Sequence, residues 1–373
     1  MKTKNRVFSI FPLIIVIACL ISCEKQRTEW KGSIEEIDGI PVVKNPKEPL
    51  FGEDVFILEE ELSIGEAEGR EEYMFSEIVA LAADAEERIY VLDYEECTVK
   101  VFDRSGRFIQ SFGRQGQGPG ELYLPRTVSI TSENEIAVHD NRGISFFSME
   151  GEFQRSLSTA KYLLSSSRLD NEGNILGVEI VRDEENPRYE LKKFDSGMNY
   201  HHSFDSSPLS NFRRDGFNPF FPIFRWTVIN GNQIVFGYMG EYALKVFDPE
   251  GNLIRKISKE YTPVKVTQKD VDERLEGEEL PPQILEKMVV PEYHCPIQRI
   301  SADDEGRIFV MTYERAPDGS GYYYDIFDAE GRFIIKVPLK NRPLMMERGK
   351  LFTVEEDEEG YQHVKRYRIN WRI

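Results

Sequence analysis

Histidine and cysteine are scarce in this chain of 373 residues, which has five of one and four of the other. Cys19 and Cys23 lie near the start, so only Cys97 and Cys295 remain in the body. Two distant thiols make no disulfide framework, and no Cys-x-x-Cys pair or Cys/His cluster offers the ligands of a structural zinc site. His201 and His202 are adjacent, so in a strand they point to opposite faces and cannot chelate one ion. No Gly-x-Ser-x-Gly elbow is present, which excludes a serine hydrolase of that type. No Ser-x-Asp-x-Gly-x-Thr-Trp box is present either, which argues against a sialidase-like fold. Basic charge is short: 47 Lys and Arg face 65 Asp and Glu, giving −18. Such a chain repels phosphate backbones, and nucleic acid is not expected as a partner. The one long apolar run, Val7 to Leu20, is too short for a membrane span, which needs about 20 residues.

That run has the right length for a secretory signal. Lys2, Lys4 and Arg6 precede it, and Ser22-Cys23 closes it. The junction resembles a bacterial lipobox, in which the cysteine thiol takes a diacylglycerol. Val16 to Cys19 forms a second, weaker match, because Leu20 and Ile21 would remain as an apolar stub after cleavage. Residues 1–22 are therefore expected to be a signal peptide and Cys23 the lipidation site, with the membrane as a partner through that anchor. Removing the signal takes away three positive charges and leaves −21. Residues 23–50 hold Gly32, Gly39, Pro41, Pro46 and Pro49 among many charges and read as a tether. Glu24 to Arg27 is mixed in charge, which favours the periplasmic side of the outer membrane over the cell surface.

The body, 51–373, is repetitive. An apolar strand, a Phe and an Asp-x-x-Gly turn recur at Phe102, Phe147, Phe194, Phe247 and Phe327, with Ser148 in place of Asp at the second and Gly197 one residue early at the third, and a degenerate copy at Tyr367. Asp supplies a side-chain acceptor and Gly the positive φ of a tight hairpin. Upstream of each anchor runs a second apolar strand, beginning at Ile89, Ile136, Ile175, Ile234, Ile308 and Leu351. The unit is four short strands in about 45 residues, which is the pattern of a propeller blade. The chain is expected to be all-β: a six-bladed β-propeller of four-stranded antiparallel blades. The sixth unit lacks an outer strand, whereas Asp54 to Gly65 has no blade of its own. The N-terminal strand should close the last blade and remove an open edge.

Phe112-Gly113 through Gly116, Gly118, Gly120 and Pro125, with the Ile-x-Val-x-Asp runs, resembles NHL-type repeats. With its lipobox, the chain resembles the six-bladed β-propeller lipoproteins of Bacteroidetes. That resemblance implies the fold and names no activity.

The Gly116–Gly120 loop leads through Pro119 into a strand rather than a helix, so it reads as a turn between blades and not a phosphate loop. Two insertions stand out. Residues 211–226 concentrate aromatics and arginines. Residues 261–296 contain a capping-box start at Thr267 and Asp270, followed by Pro281-Pro282, and read as two short helices at about 262–296. Glu59 to Glu61 and Glu355 to Glu359 read as solvated charge runs.

Both insertions join an outer strand to the next inner strand, so they should gather at one end of the ring. The second strands end at that side in Asp93, Asp140, Glu179, Tyr238, Thr312 and Glu355. Glu77, Arg126 and Arg225 stand at the entrance to the inner strands. Arg126, Arg225, Asp93 and Asp140 are expected to share a pocket there, with Glu179, Tyr238 and Glu77 around it. The plainer reading is that these carboxylates only cap loops. Mixed charge with aromatics suits a polar small molecule, a glycan or a peptide, or else an envelope protein. The rival reading is a metal-assisted lactonase-like or lyase-like enzyme using carboxylates around the channel. No cofactor is expected, and no motif supports a divalent cation in the channel.

Overall fold

One turn recurs between neighbouring strands. At Asp103 the backbone N–H donates to the carbonyl of Arg107, and Gly106 N–H donates to the carbonyl of Asp103. The Asp103 carboxylate accepts from the N–H of Ser105 and of Arg107, at 2.8 and 3.0 Å. Gly106 sits at φ +81°, where a side chain would be strained. The same bonds close the turns opened by Asp170, Asp248, Asp303, Asp328 and Asp357. At Asp195 the positive φ falls on Met198 instead, one residue beyond the glycine of that repeat.

The computed structural model describes residues 29–162, 164–209 and 216–372. These hairpins assemble six sheets. Blade 1 runs outward through Ile78–Ala83, Ile89–Asp93, Thr98–Phe102 and Phe108–Phe112. The inner strands of the next blades are Thr127–Ile130, Leu164–Leu169, Phe224–Ile229, Arg299–Ala302 and Pro343–Glu347. They approach one another around the axis. Between blades lie apolar layers. The anchors Phe102, Phe147, Phe194, Phe247 and Phe327 are all buried there, and Phe102 meets the rings of Tyr73, Phe75 and Phe108. The Gly116–Gly120 loop folds back on itself between blades 1 and 2, with Gly118 N–H donating to Glu121 at 2.7 Å.

Closure follows the expected route. Phe56–Ile64 pairs antiparallel with Gln362–Trp371 as the outer strand of blade 6. Phe56 and Trp371 meet edge to face at 5.0 Å.

The tether reading needs correction over 33–45. Ser33–Ile37 and Ile40–Asn45 form a hairpin, and Ile40–Asn45 lies parallel to Leu253–Lys259, the outer strand of blade 4. Asp38 and Gly39 both have positive φ, as the tightest hairpin turn requires. Pro41 precedes the run Val42 to Asn45 that bonds to blade 4, so its missing N–H costs no ladder bond. Asn45 fixes the hairpin. Its amide donates to the carbonyls of Ser258 and Gly331, and its carbonyl accepts from Phe333 N–H and Trp30 Nε1. The seam of blades 4 and 5 is otherwise held by buried Lys259 and Asp325, 3.2 Å apart, with Tyr242 Oη donating to Asp325.

The second insertion carries helix Gln268–Leu275, capped reciprocally by Thr267 and Asp270, and the single turn Pro282–Leu285. It packs on the described part of the first. Phe220 meets His294 edge to face at 5.0 Å, and Arg274 Nε donates to the carbonyl of Pro219 at 3.2 Å. Among the described residues no helix is long and apolar enough to cross a membrane.

Deleting residues 50–65 opens the ring and bares Gln362–Trp371 as an edge. The expected result is loss of a single cooperative thermal transition. A truncated protein that melts like the full chain would contradict closure by this strand.

Candidate functional site

The inner strands enclose a central cavity of about 680 Å³. Five of the six blades each place one arginine on its wall: Arg126, Arg168, Arg225, Arg299 and Arg342. Strand register explains the placement. Arg225 pairs with Gly237 and Arg299 with Met311, each the fourth residue of an equivalent second strand. Arg342 precedes Pro343, which pairs with Thr353, so it arrives near the same level. Arg168 pairs with Leu176, two residues deeper on the same strand face. Arg126 stands just before Thr127, its N–H bonded to the carbonyl of His139. The first insertion leads into Ile223 and Phe224 on the cavity wall, and the second leads into Arg299.

No described aspartate, glutamate or lysine lines this cavity. Among the described residues none of the five arginines has an ion-pair partner. Arg225 Nε donates to the carbonyl of Gln298 at 3.2 Å, and the Arg168 guanidinium lies 5.6 Å from the Trp226 ring centre. Arg168 is surrounded by protein yet open to the lumen. Burial pushes its pKa down, and burial together with Arg299 does the same for Arg225 and Arg342. All stay charged at neutral pH, because arginine starts so high. Three buried hydroxyls on the wall have no hydrogen-bond partner among the described residues: Thr127 Oγ1, Ser129 Oγ and Tyr324 Oη. Burial pushes the Tyr324 phenol up to about 12, against the pull of Arg299 and Arg342, so it keeps its proton. Trp226 and Tyr189 add flat surfaces, and Val79, Leu81, Leu344 and Met345 make one sector apolar.

Two of the four residues expected to share a pocket therefore meet here, Arg126 and Arg225. The other two do not. Asp93 is fully buried and accepts from the N–H of Ser76 at 2.7 Å and of Glu96 at 3.0 Å. Asp140 accepts from the N–H of Arg142, Gly143 and Tyr123, and pairs with the Arg142 guanidinium at 2.9 Å. Both carboxylates are consumed as loop caps, since a short acidic side chain at a strand end reaches the nearest free N–H groups first. Glu179 pairs with Lys192 at 2.5 Å, and Glu355 accepts from Tyr367 Oη at 2.5 Å. Tyr238 packs in the apolar layer between blades 3 and 4. Thr312 donates to the carbonyl of Tyr323, and Glu77 is exposed outside the cavity wall. The expected convergence of carboxylates is replaced by arginines alone. Arg168, Arg299 and Arg342 were missed. Aligning the first strands of the repeats would have set Arg299 and Arg342 beside Arg225, whereas the depth of Arg168 has no such signal. Cys23 and 211–215 lie outside the described residues. Among the described residues no three His, Cys, Asp or Glu side chains converge as metal ligands.

Residues 68–204 match the model of the DUF5128 family, described as a 6-bladed beta-propeller. The chain is a six-bladed β-propeller. The propeller resembles a solved Bacteroides fragilis protein described as exported, with 13% identity and a TM-score of 0.57 over 88% of this chain and 99% of that one. It also resembles a DUF4221 member from Bacteroides vulgatus, with 13% identity and a TM-score of 0.54 over 86% and 99% of the two chains. Protein brain tumor of Drosophila melanogaster is 28% identical over 115 residues, which span 29% of this chain and only 11% of that protein. At these identities the solved structures show the fold alone.

The clustered guanidiniums repel one another, so Arg299→Gln should raise stability at low salt, by on the order of 1 kcal/mol. The gain should vanish near 1 M salt, where the Debye length is about 3 Å. Thermal melts at both ionic strengths check this, and a loss of stability at low salt would show that Arg299 is structural.

His139 lies beside Arg168, with Nδ1 2.9 Å from Ser167 Oγ; burial first, and Arg168 second, depress its pKa to about 4. An unfolded histidine binds its proton near pH 6.5. Between those values the unfolded chain holds more protons than the folded one. Stability should therefore fall as pH drops from about 6.5 to 4, by at most about 1.4 kcal/mol per pH unit, and this contribution should level off below. Denaturant titrations should show that His139→Gln removes this slope. An unchanged slope assigns it to other groups.

Proposed function

We propose that the protein is a cell-envelope lipoprotein, anchored through Cys23, whose propeller channel binds a polar ligand. The observation that carries this is the convergence of Arg126, Arg168, Arg225, Arg299 and Arg342 in one cavity without a described acidic partner. A fold gains nothing from five unneutralised charges on one wall, and such stability is commonly given up for function. The cavity falls within the roughly 300–1,000 Å³ of small-ligand sites.

The metal-assisted enzyme is the weaker reading. It needs carboxylates around the channel, and none of the described residues on the wall is one. Guanidiniums there repel a divalent cation as strongly as they attract an anion. The lipobox and the likeness to a protein described as exported both agree with an envelope location. The mixed charge after Cys23 keeps the periplasmic side of the outer membrane as the favoured placement.

Two measurements test the proposal. Metabolic palmitate labelling should disappear in Cys23→Ala, and persistent labelling would overturn the anchor. Native mass spectrometry of protein released from its own membranes should show a discrete added mass. That mass should be lost in Arg225→Glu. A mass that survives this change lies outside the channel and overturns the binding site.

A further inference from the structure

We infer that the ligand is a compact, multivalent oxyanion: a small scaffold carrying at least two phosphate, sulfate or carboxylate groups. This rests on the channel-binding reading above and gives the ligand its chemistry. Arginine is the side chain that matches these groups, through two parallel N–H donors. The five on the wall come from five different blades, so they surround the space instead of clustering at one point. One singly charged group would leave most of them unneutralised.

Two subsites can be distinguished. The first joins Arg225, Arg299 and Arg342, from blades 4, 5 and 6, at one level of the channel. Tyr324 stands near Arg299 and Arg342, 2% exposed, with its hydroxyl unpartnered among the described residues; the residue lines the cavity. A protonated phenol beside guanidiniums is one more donor to the same oxyanion. The second holds Arg126 and, deeper in the channel, Arg168, from blades 2 and 3, with Thr127 and Ser129 on the same wall. No described residue at either subsite offers a negative acceptor, so a cationic or zwitterionic ligand would leave the wall unsatisfied. Between the subsites, Trp226 and Tyr189 and the apolar sector of Val79, Leu81, Leu344 and Met345 fit the faces of a ring-shaped scaffold. Length is limited as well. The chain carries −18 overall, so a long polyanion would have to lie over an acidic exterior while only a short piece reached the arginines.

Isothermal titration of the full chain in detergent separates the possibilities. The probes are inorganic phosphate, a bisphosphorylated hexose, a disulfated disaccharide, a diuronate disaccharide and a neutral disaccharide of the same size. At least one doubly charged probe should bind ten times or more tightly than both inorganic phosphate and the neutral sugar, and should weaken as salt rises. The tightest of the charged probes tells phosphorylated, sulfated and carboxylated sources apart. Arg299→Gln and Arg126→Gln, one from each subsite, should each weaken that probe by about tenfold or more, in line with lost charge-assisted hydrogen bonds. Thermal melts on both variants separate lost binding from lost folding, and a double substitution should weaken binding further than either alone. Inorganic phosphate binding as tightly as every doubly charged probe would overturn multivalence. A neutral sugar that binds best, indifferent to salt and to both substitutions, would overturn the anionic ligand and leave the polar-ligand reading standing. If no charged probe binds, the inference also fails.

Discussion

A ring of blades has one seam where the chain's two ends must meet, and everything inside depends on it. Here the seam is the strand pairing of Phe56–Ile64 with Gln362–Trp371. The N-terminal segment does more than fill that place. It begins on the outside of blade 4, where Asn45 ties it to blade 5 through Gly331 and Phe333. It then crosses blade 5, with Leu50 and Phe51 N–H donating to the carbonyls of Phe333 and Ile334. Finally it enters blade 6. Blade 6 reaches onward to blade 1, where Gln362 accepts from Ile78 N–H at 2.7 Å. One stretch of chain thus spans half the ring. This matters because like charges on neighbouring inner strands push the blades apart, and closure holds them in register.

The molecule treats charge in two opposite ways, buried at a seam between blades and open to the lumen in the channel. At the seam of blades 4 and 5, Lys259 faces Asp325, Tyr242 donates to the same carboxylate, and Lys259 lies over the rings of Tyr242 and Phe333. Every charge there has an answer within the fold, as buried ion pairs require. In the channel Arg299 acts unfavourably on both Arg225 and Arg342, and no described acid lines the wall to answer them. The contrast shows that this sequence pairs buried charges where structure alone is at stake. Leaving five guanidiniums without a described counterion is then a property of that place, and on the channel-binding proposal the ligand supplies the counterion.

The blade repeat was legible because its signals are local. A phenylalanine next to an Asp-x-x-Gly turn fixes a buried ring and a hairpin within five residues, and the structure buries Phe102, Phe247 and Phe327 as that pattern implies. The closing strand was legible as a surplus strand at one end and a missing one at the other. The hairpin at 33–45 was not. Its glycine and prolines look like linker composition, and only the distant partner Leu253–Lys259 shows that Gly39 makes a turn. The site was half legible for a related reason. Asp93 and Asp140 look chemical in sequence, but which N–H groups lie in reach of a carboxylate is decided by loops such as Ser76 and Tyr123, from elsewhere in the chain. Arg299 and Arg342 gain meaning only from the ring, which sets them beside Arg225 although they are far apart along the chain.

The sign of the channel against the sign of the whole molecule sets a selection rule. At physiological salt the Debye length is about 8 Å, so an approaching anion feels the acidic exterior only close to the surface. Inside, walls of low polarizability screen far less, and charges of one sign around a cleft focus their field along its axis. An anion short enough to pass wholly inside leaves the repulsive zone behind and meets all five arginines. A longer chain keeps part of its charge outside at every moment and gains less with each added unit. Neutral molecules gain nothing from the field, and cations are turned away at the arginines. On the channel-binding proposal, the arrangement discriminates by charge and length before any specific contact is made.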